Sequence, residues 1–181
     1  TPSAYWLNHT FATVFGLDRR LDAASADHYY DTIDAALKTP ALRPRRLFER
    51  FRIEVLATTE SPTDPLAHHA AIRASGWPGR VITAYRPDPV VDPEHELFPV
   101  EVARFGELAG EDVASWTGYL AAHRKRRAYF AAHGATSTDH GHPSAATADL
   151  APAEAARLYA RVRSGDATPA EAELFRAQML T

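Results

Sequence analysis

The densest group of side chains that could perform chemistry is the run Asp139-His140-Gly141-His142. The two histidines are one residue apart, so after a strand they point to the same side, and the glycine between them lets the backbone turn tightly. Neutral imidazoles at this spacing suit Zn²⁺ or another borderline divalent metal. The sequence identifies no third ligand, so two interpretations stay open: a polar loop with exposed histidines and the metal site of a hydrolase.

A second candidate is Arg86, which ends a β-branched run and precedes Pro87. The proline restricts the backbone of the arginine, and the planar guanidinium is suited to bind a carboxylate or a phosphate. The alternative is a structural salt bridge, for which Asp88 is a nearby acidic partner. Residue types and spacing favour neither interpretation over the other.

Two further groups of charged or titratable residues are interpreted as structural. His68 and His69 are adjacent on a predicted helix and point about 100° apart, so they cannot easily bind one metal together. One of them is expected to face the neighbouring strand. The basic run at residues 124–127 is expected to coat a solvated helix face. The sequence contains no glycine-rich phosphate loop and no nucleophile elbow.

An alternation of strands and helices in the middle of the chain positions these residues. The predicted order is strand 53–59, helix 65–72, strand 80–85, helix 111–133 and strand 135–138. Such alternation favours a parallel sheet with right-handed crossovers, and ligands of these folds bind at the carboxyl ends of the strands. Three polar clusters are therefore expected to line one mouth: Thr58-Thr59, Arg86 and Asp139-His140.

Helices are predicted at both ends of the chain. Helical periodicity runs through the first third, where Ser25 is expected to cap the second helix. The tail contains two helical segments, at residues 152–163 and 169–180, and Thr168 with Glu171 forms a capping box at the second. The predicted organisation is a helical insertion region at 1–51, a partial β/α barrel segment at 52–150 and a C-terminal helical pair at 151–181.

Composition limits the classes of fold and partner. The chain has 181 residues, which favours one domain and nearly excludes a complete (β/α)8 barrel. The net charge of -3 lacks the basic excess of a non-specific nucleic-acid binder. No apolar run approaches the roughly 18 residues of a membrane span, so no membrane partner is expected. The absence of cysteine fits a reducing cytoplasm, which is the predicted location.

Short motifs along the chain occur in an order that is typical of one enzyme family. They are Tyr5-Trp6, Phe15-Gly16-Leu17, Ala26-Asp27, Leu56-Ala57-Thr58-Thr59, Asp64-Pro65, His68-His69, Arg86-Pro87-Asp88, His133-Gly134-Ala135 and Thr138-Asp139-His140-Gly141-His142. In this order they resemble the uronate isomerases (glucuronate isomerases) of the amidohydrolase superfamily. The resemblance covers nearly the whole chain, from Tyr5 to about Leu180.

The resemblance implies a distorted (β/α)8 barrel with a divalent metal, often zinc. Such enzymes interconvert D-glucuronate with D-fructuronate, and D-galacturonate with D-tagaturonate, by proton transfer through an enediol. This chain would supply a helical insertion and then strands two to four, about three parallel strands of the α/β barrel. Arg86 matches the family arginine that pairs with the uronate carboxylate. Asp139, His140 and His142 fall at the mouth of the fourth strand, where the resemblance implies a substrate-facing role.

The departures from the family pattern concern the metal centre. The family's metal-binding His-x-His follows the first strand, and further ligands follow strands five and eight, so no residue here is assigned as a metal ligand or a catalytic group. The chain alone is therefore expected to be inactive. An open three-stranded sheet leaves unpaired edges, which predicts a homo-oligomer or association with the missing barrel parts. The alternative is a non-catalytic module that binds a sugar acid or a partner.

Overall fold

Two parallel strands form the sheet: β1 is Val55–Glu60 and β2 is Arg80–Tyr85. The structure is a computed structural model that describes residues 1–180. The register pairs Val55 with Arg80 and Glu60 with Tyr85, so both strands end at the same edge. The helix α4 (Ala67–Ala74) lies between the strands in the chain, as the predicted strand–helix–strand order requires.

The predicted third strand at residues 135–138 does not form, so the prediction of about three parallel strands is wrong for the described residues. Thr138 instead makes a single parallel bridge to Tyr85. The Tyr85 N–H donates to the Ser137 carbonyl at 3.1 Å, and the Asp139 N–H donates to the Tyr85 carbonyl at 3.0 Å. Residues 135–138 carry small side chains that bury little apolar surface, which explains why the pairing stops after one residue.

The chain divides into two compact units, the first at residues 1–54 and the second from residue 55 onward. The first unit is helical: its elements are α1 (Pro2–Phe15), α2 (Ala26–Leu37), a short 3-10 turn (Pro40–Leu42) and α3 (Pro44–Arg50). Ser25 precedes α2 as predicted, but its side chain makes no capping bond. Its hydroxyl bonds the Arg20 carbonyl and the Asp22 backbone instead, which stabilises the turn before the helix. The predicted division at residues 51 and 150 stays a prediction.

The second unit adds five helices to the sheet and α4. They are α5 (Asp88–Val91), α6 (Phe98–Ala109), α7 (Trp116–Ala132), α8 (Pro152–Ser164) and α9 (Pro169–Met179). The predicted helix at 111–133 starts too early, because Gly110 ends α6 in the left-handed conformation and Ser115 caps α7 by accepting from the Gly118 N–H. The two tail helices and the capping box of Thr168 with Glu171 are confirmed.

Aromatic side chains from α6 to α9 form the core of the second unit. Phe105, Tyr119, Tyr159 and Phe175 are fully buried, and the Tyr119 and Tyr159 rings stack with centroids 4.4 Å apart. Burying each such side chain contributes about 1.5–3 kcal/mol. This core holds the helices beside the carboxyl end of β2, where the candidate site lies. Among residues 1–180, no helix is long and apolar enough to cross a membrane.

Candidate functional site

Arg86 stands directly after β2, at the edge where both strands end. Its backbone N–H donates to the Glu60 carbonyl at 3.0 Å, which continues the strand ladder by one residue. Pro87 then turns the chain, and α5 begins at Asp88. The local sequence therefore places a guanidinium and a carboxylate two residues apart at the mouth of the sheet.

The Arg86 guanidinium is held between two carboxylates. Its Nε donates to Asp88 Oδ2 at 2.7 Å, and its Nη1 lies 3.2 Å from Asp139 Oδ2. The hydrogen bond to Asp88 is the main reason that the pKa of Arg86 is raised above its usual value. The salt bridge to Asp88 considered from the sequence is thus present. The Arg86 side chain is still 42% exposed, so one side of the guanidinium remains accessible to solvent.

The loop at residues 139–142 is fixed to the same place by backbone contacts. The Asp139 N–H binds β2 through the Tyr85 carbonyl, and the Gly141 N–H donates to Asp88 Oδ1 at 2.7 Å. A Cβ at position 141 would lie 2.6 Å from Arg86 Nη2 and would displace the guanidinium. The glycine therefore allows the loop to approach Arg86 closely without moving its guanidinium.

The two histidines of this loop lie against Asp88. The His142 side chain is only 3% exposed, and its Nε2 lies 3.6 Å from Asp88 Oδ1, which is longer than a hydrogen bond. His140 Nδ1 and both ring nitrogens of His142 are buried without a hydrogen-bond partner among the described residues. Burial, and then the neighbouring His142, lower the pKa of His140, which favours its neutral form.

All four site residues predicted from the sequence therefore lie together. The Arg86 cluster consists of Arg86, Asp88, Asp139, His140 and His142. Asp88, His140 and His142 each offer one ligand atom, and these atoms lie within 4.8 Å of one another, so the three could hold a metal ion. Asp88 was missed as a third ligand because from sequence it was considered only as a partner of Arg86. Its position three residues after the end of β2 was the available signal.

The polar end of β1 does not present free groups in the same way. Thr58 Oγ1 lies 2.9 Å from His69 Nε2, which confirms that one histidine of the His68-His69 pair faces the neighbouring strand. The Glu60 carboxylate accepts from the Thr83 hydroxyl and lies 3.6 Å from His69 Nε2. These contacts explain Thr58 and Glu60 as structural support for the sheet edge, whereas Thr59 of the predicted polar cluster is exposed.

Behind the Arg86 cluster, α7 contributes titratable side chains that the sequence did not single out. His123 Nδ1 lies 2.9 Å from the Tyr85 hydroxyl, and burial lowers the pKa of His123 to about 3. The prediction of a solvated basic face is wrong for Arg126, which is 7% exposed. Its Nε donates to the Pro62 carbonyl at 2.7 Å, and it stacks on Tyr129. These groups stabilise the elements beneath the site.

Comparisons with known proteins point to one family. The family model described as "Glucuronate isomerase" matches residues 1–181. A uronate isomerase of Xanthomonas axonopodis pv. citri is 73% identical over the whole chain, and one of Phenylobacterium zucineum is 66% identical. The chain spans 38% of the length of each of these relatives.

Two solved structures are also similar to this chain. The crystal structure of glucuronate isomerase from Caulobacter crescentus is 60% identical with a TM-score of 0.92, and the match covers 99% of this chain and 38% of that one. The uronate isomerase of Thermotoga maritima has a TM-score of 0.85 at 24% identity, with 99% of this chain and 40% of that one covered. The second likeness concerns the fold alone.

Proposed function

The chain belongs to the glucuronate isomerase family, and from this premise we propose that it is a segment of an aldose–ketose isomerase acting on uronates. The proposed reaction interconverts D-glucuronate with D-fructuronate, and D-galacturonate with D-tagaturonate, by proton transfer through an enediol. One observation carries the substrate class: an accessible guanidinium stands at the carboxyl end of a parallel strand, where ligands of such folds bind. The family assignment does not favour a non-catalytic binding module.

Arg86 is the proposed anchor for the substrate carboxylate. Of its two ion pairs, the one to Asp139 is longer, at 3.2 Å, and lies between two side chains that are each 42% exposed. The pair to Asp88 is shorter, at 2.7 Å, and Asp88 is 17% exposed. A substrate carboxylate would replace Asp139 on the guanidinium, whereas Asp88 would keep the guanidinium oriented. A fixed, charge-assisted contact of this kind orients the uronate.

Asp139, His140 and His142 are the further substrate-facing residues of the proposal. Asp139 is exposed enough to contact a ligand directly, and His140 adjoins it in the chain. The more deeply buried His142 lies behind them against Asp88. The group that moves the proton between C2 and C1 is not assigned to this chain.

The proposal includes a divalent metal, with zinc as the expected ion, held in the full-length enzyme by ligands outside this chain. When bound, such a metal polarises a substrate oxygen and so favours loss of the neighbouring proton. The donor set within this chain also suits such an ion, since two imidazoles and a carboxylate are ordinary zinc ligands. The role of this chain's residues in the proposed reaction remains substrate positioning.

The partner of this segment is proposed to be the remaining part of the barrel, or further copies of the protein. In the described residues each strand pairs along its length with only one neighbour, so the sheet has two open edges. Large apolar side chains such as Tyr5 (79% exposed) and Trp6 (71% exposed) are also exposed to solvent, and association would bury them. A strictly monomeric scattering profile of this chain, with no binding of a hydrophobic dye, would contradict the association. The proposed location is the cytoplasm.

An isomerase assay of the full-length protein tests the proposed function. We expect the metal-loaded protein to convert D-glucuronate into its ketose, measured by proton NMR in D2O, with deuterium entering through the enediol. The 181-residue chain alone should show no conversion, which provides the matched control. Full-length protein that binds D-glucuronate without converting it would instead support a binding module and refute the isomerase.

A further inference from the structure

The buried side of the Arg86 cluster contains polar atoms that the proposed substrate contact does not use. The His142 side chain is almost completely buried, yet neither of its ring nitrogens has a hydrogen-bond partner among the described residues. His140 Nδ1 is in the same state. A buried polar group without a partner costs about 1–3 kcal/mol, so three such nitrogens close together call for a ligand.

The spacing of these groups is that of metal ligands. Zinc binds imidazole nitrogen and carboxylate oxygen at about 2.0–2.2 Å, which places two ligands of a tetrahedral ion roughly 3.3–3.6 Å apart. Asp88 Oδ1 and His142 Nε2 are 3.6 Å apart, too far for a hydrogen bond but suited to a shared cation. The three ligand atoms all lie within 4.8 Å of one another, so a small side-chain movement brings them to one ion.

The carboxylate is already oriented for this role. Arg86 Nε donates a hydrogen bond to Asp88 Oδ2, and the Gly141 N–H donates one to Oδ1, the oxygen that lies nearer to His142. A metal-binding side chain is commonly fixed in this way by partners that do not touch the metal.

The geometry points to a binding site for one divalent transition metal, represented by Zn²⁺, formed by Asp88, His140 and His142 of this chain. Two imidazoles and one carboxylate leave a fourth position for water or a substrate oxygen. The site goes beyond the proposed function, since it depends on residues 88–142 alone and not on turnover of a uronate. It also supplies the third ligand that the spacing of His140 and His142 does not reveal.

Calorimetric titration of the purified, metal-free 181-residue chain with Zn²⁺ tests this site. We expect one Zn²⁺ per chain, with a Zn²⁺-dependent rise in the melting temperature because the ion binds only the folded site. Asp88→Asn and His142→Asn should each weaken binding at least about tenfold, since loss of even an indirect supporting partner commonly costs that much. Co²⁺ should show visible absorption bands that these substitutions remove.

The exposed His68 provides a matched control, and His68→Ala should bind Zn²⁺ as the unchanged chain does. Circular dichroism establishes that each variant is folded, and His140→Ala, at a more accessible ring, keeps the test available if His142→Asn does not fold. A chain that binds no Zn²⁺, or Asp88 and His140 variants that bind as tightly as His68→Ala, would overturn the site. Neither result depends on isomerase activity, so the proposed function is tested separately.

Discussion

Two clusters in the second unit join an arginine to several carboxylates, yet they differ in exposure and in completeness. The Arg176 cluster consists of Arg176, Asp92, Glu94 and Glu173. Arg176 is 6% exposed and donates to all three carboxylates at 2.7–3.1 Å. Arg86, in contrast, is 42% exposed and adjoins buried imidazole nitrogens that lack partners. An ion pair alone therefore does not indicate a ligand site, whereas exposure combined with unsatisfied buried groups does.

The largest expected effect on stability is at Arg176. Arg176→Ala would remove all the ion pairs of the cluster. Because its carboxylate partners are 28–59% exposed and water can solvate them, the cost should be that of charge-assisted hydrogen bonds, about 1.5–3 kcal/mol. Arg86→Ala is the matched comparison, and its exposed ion pairs should contribute clearly less to stability because solvent screens them. Urea unfolding of the two variants measures both values. Equal losses would remove the distinction between the clusters.

A second prediction separates buried His123 from the histidines of the Arg86 cluster. Its pKa in the folded state is lowered from the usual 6.5 to about 3, by burial first and then by Arg127. Below pH 6.5 the unfolded chain therefore binds a proton that the folded chain does not, and stability falls as the pH is lowered towards 3. The loss of folding stability due to His123 approaches about 1.4 kcal/mol for each unit by which the pH is lowered in this range.

His123→Asn should remove this contribution to the pH dependence, because asparagine does not titrate and can still bind the Tyr85 hydroxyl. Urea unfolding at pH 7 and pH 5 measures the difference between the variant and the unchanged chain. His68→Ala, at an exposed histidine, serves as the control and should keep the full slope. An identical slope in the His123 variant would show that this histidine protonates freely in the folded chain.

The smallest expected effect is at the capping box of α9, the helix that carries Arg176. Thr168→Ala should cost about 1 kcal/mol, since it removes the hydroxyl that accepts from the Glu171 N–H. The hydrogen bond from Arg161, and then those from Thr168, lower the pKa of Glu171 from 4.5 to about 2. The stability that Glu171 contributes is therefore present above pH 4.5 and is lost as the pH falls through about 2.

Glu171→Gln should therefore destabilise the chain at pH 7, and the difference from the unchanged chain should shrink as the pH falls from 5 towards 2. Asp149→Asn is a suitable control because this exposed residue lies outside α9. Thermal unfolding monitored by circular dichroism measures the difference across this range. A difference that does not depend on pH would mean that the charge of Glu171 contributes nothing.

The elements that could be predicted from sequence are those fixed by local signals. Pro152 and Pro169 mark the first turns of α8 and α9, and the β-branched runs of β1 and β2 lie between turn residues. The helix α6 also had a signal, since Phe98, Val102 and Phe105 recur on one buried face, but the two prolines nearby obscured it. Local patterns do not show whether a short polar segment pairs with a strand over one residue or over four. The single bridge between Thr138 and Tyr85 could therefore not be predicted.

The sequence predicted most residues of the Arg86 cluster, but it did not predict the contacts between them. Parallel strands bring their carboxyl ends to one edge, which is sufficient to place Arg86 near Asp139 and His140. The role of Asp88 depends on a backbone hydrogen bond from Gly141, which lies 53 residues further along the chain. Such a long-range contact leaves no periodicity in the sequence, and the unpartnered nitrogens of His142 follow from the same packing.

The measurement that tests the central claim most directly is the KM for D-glucuronate of the full-length enzyme with Arg86→Ala. Loss of a charge-assisted contact worth about 1.5–3 kcal/mol should raise KM roughly 10- to 150-fold, and Arg86→Lys should lie in between. Arg157→Ala, at an exposed arginine of α8, should leave KM unchanged. An unchanged KM in the Arg86→Ala enzyme would contradict the carboxylate anchor and leave Arg86 as a structural ion pair like Arg176.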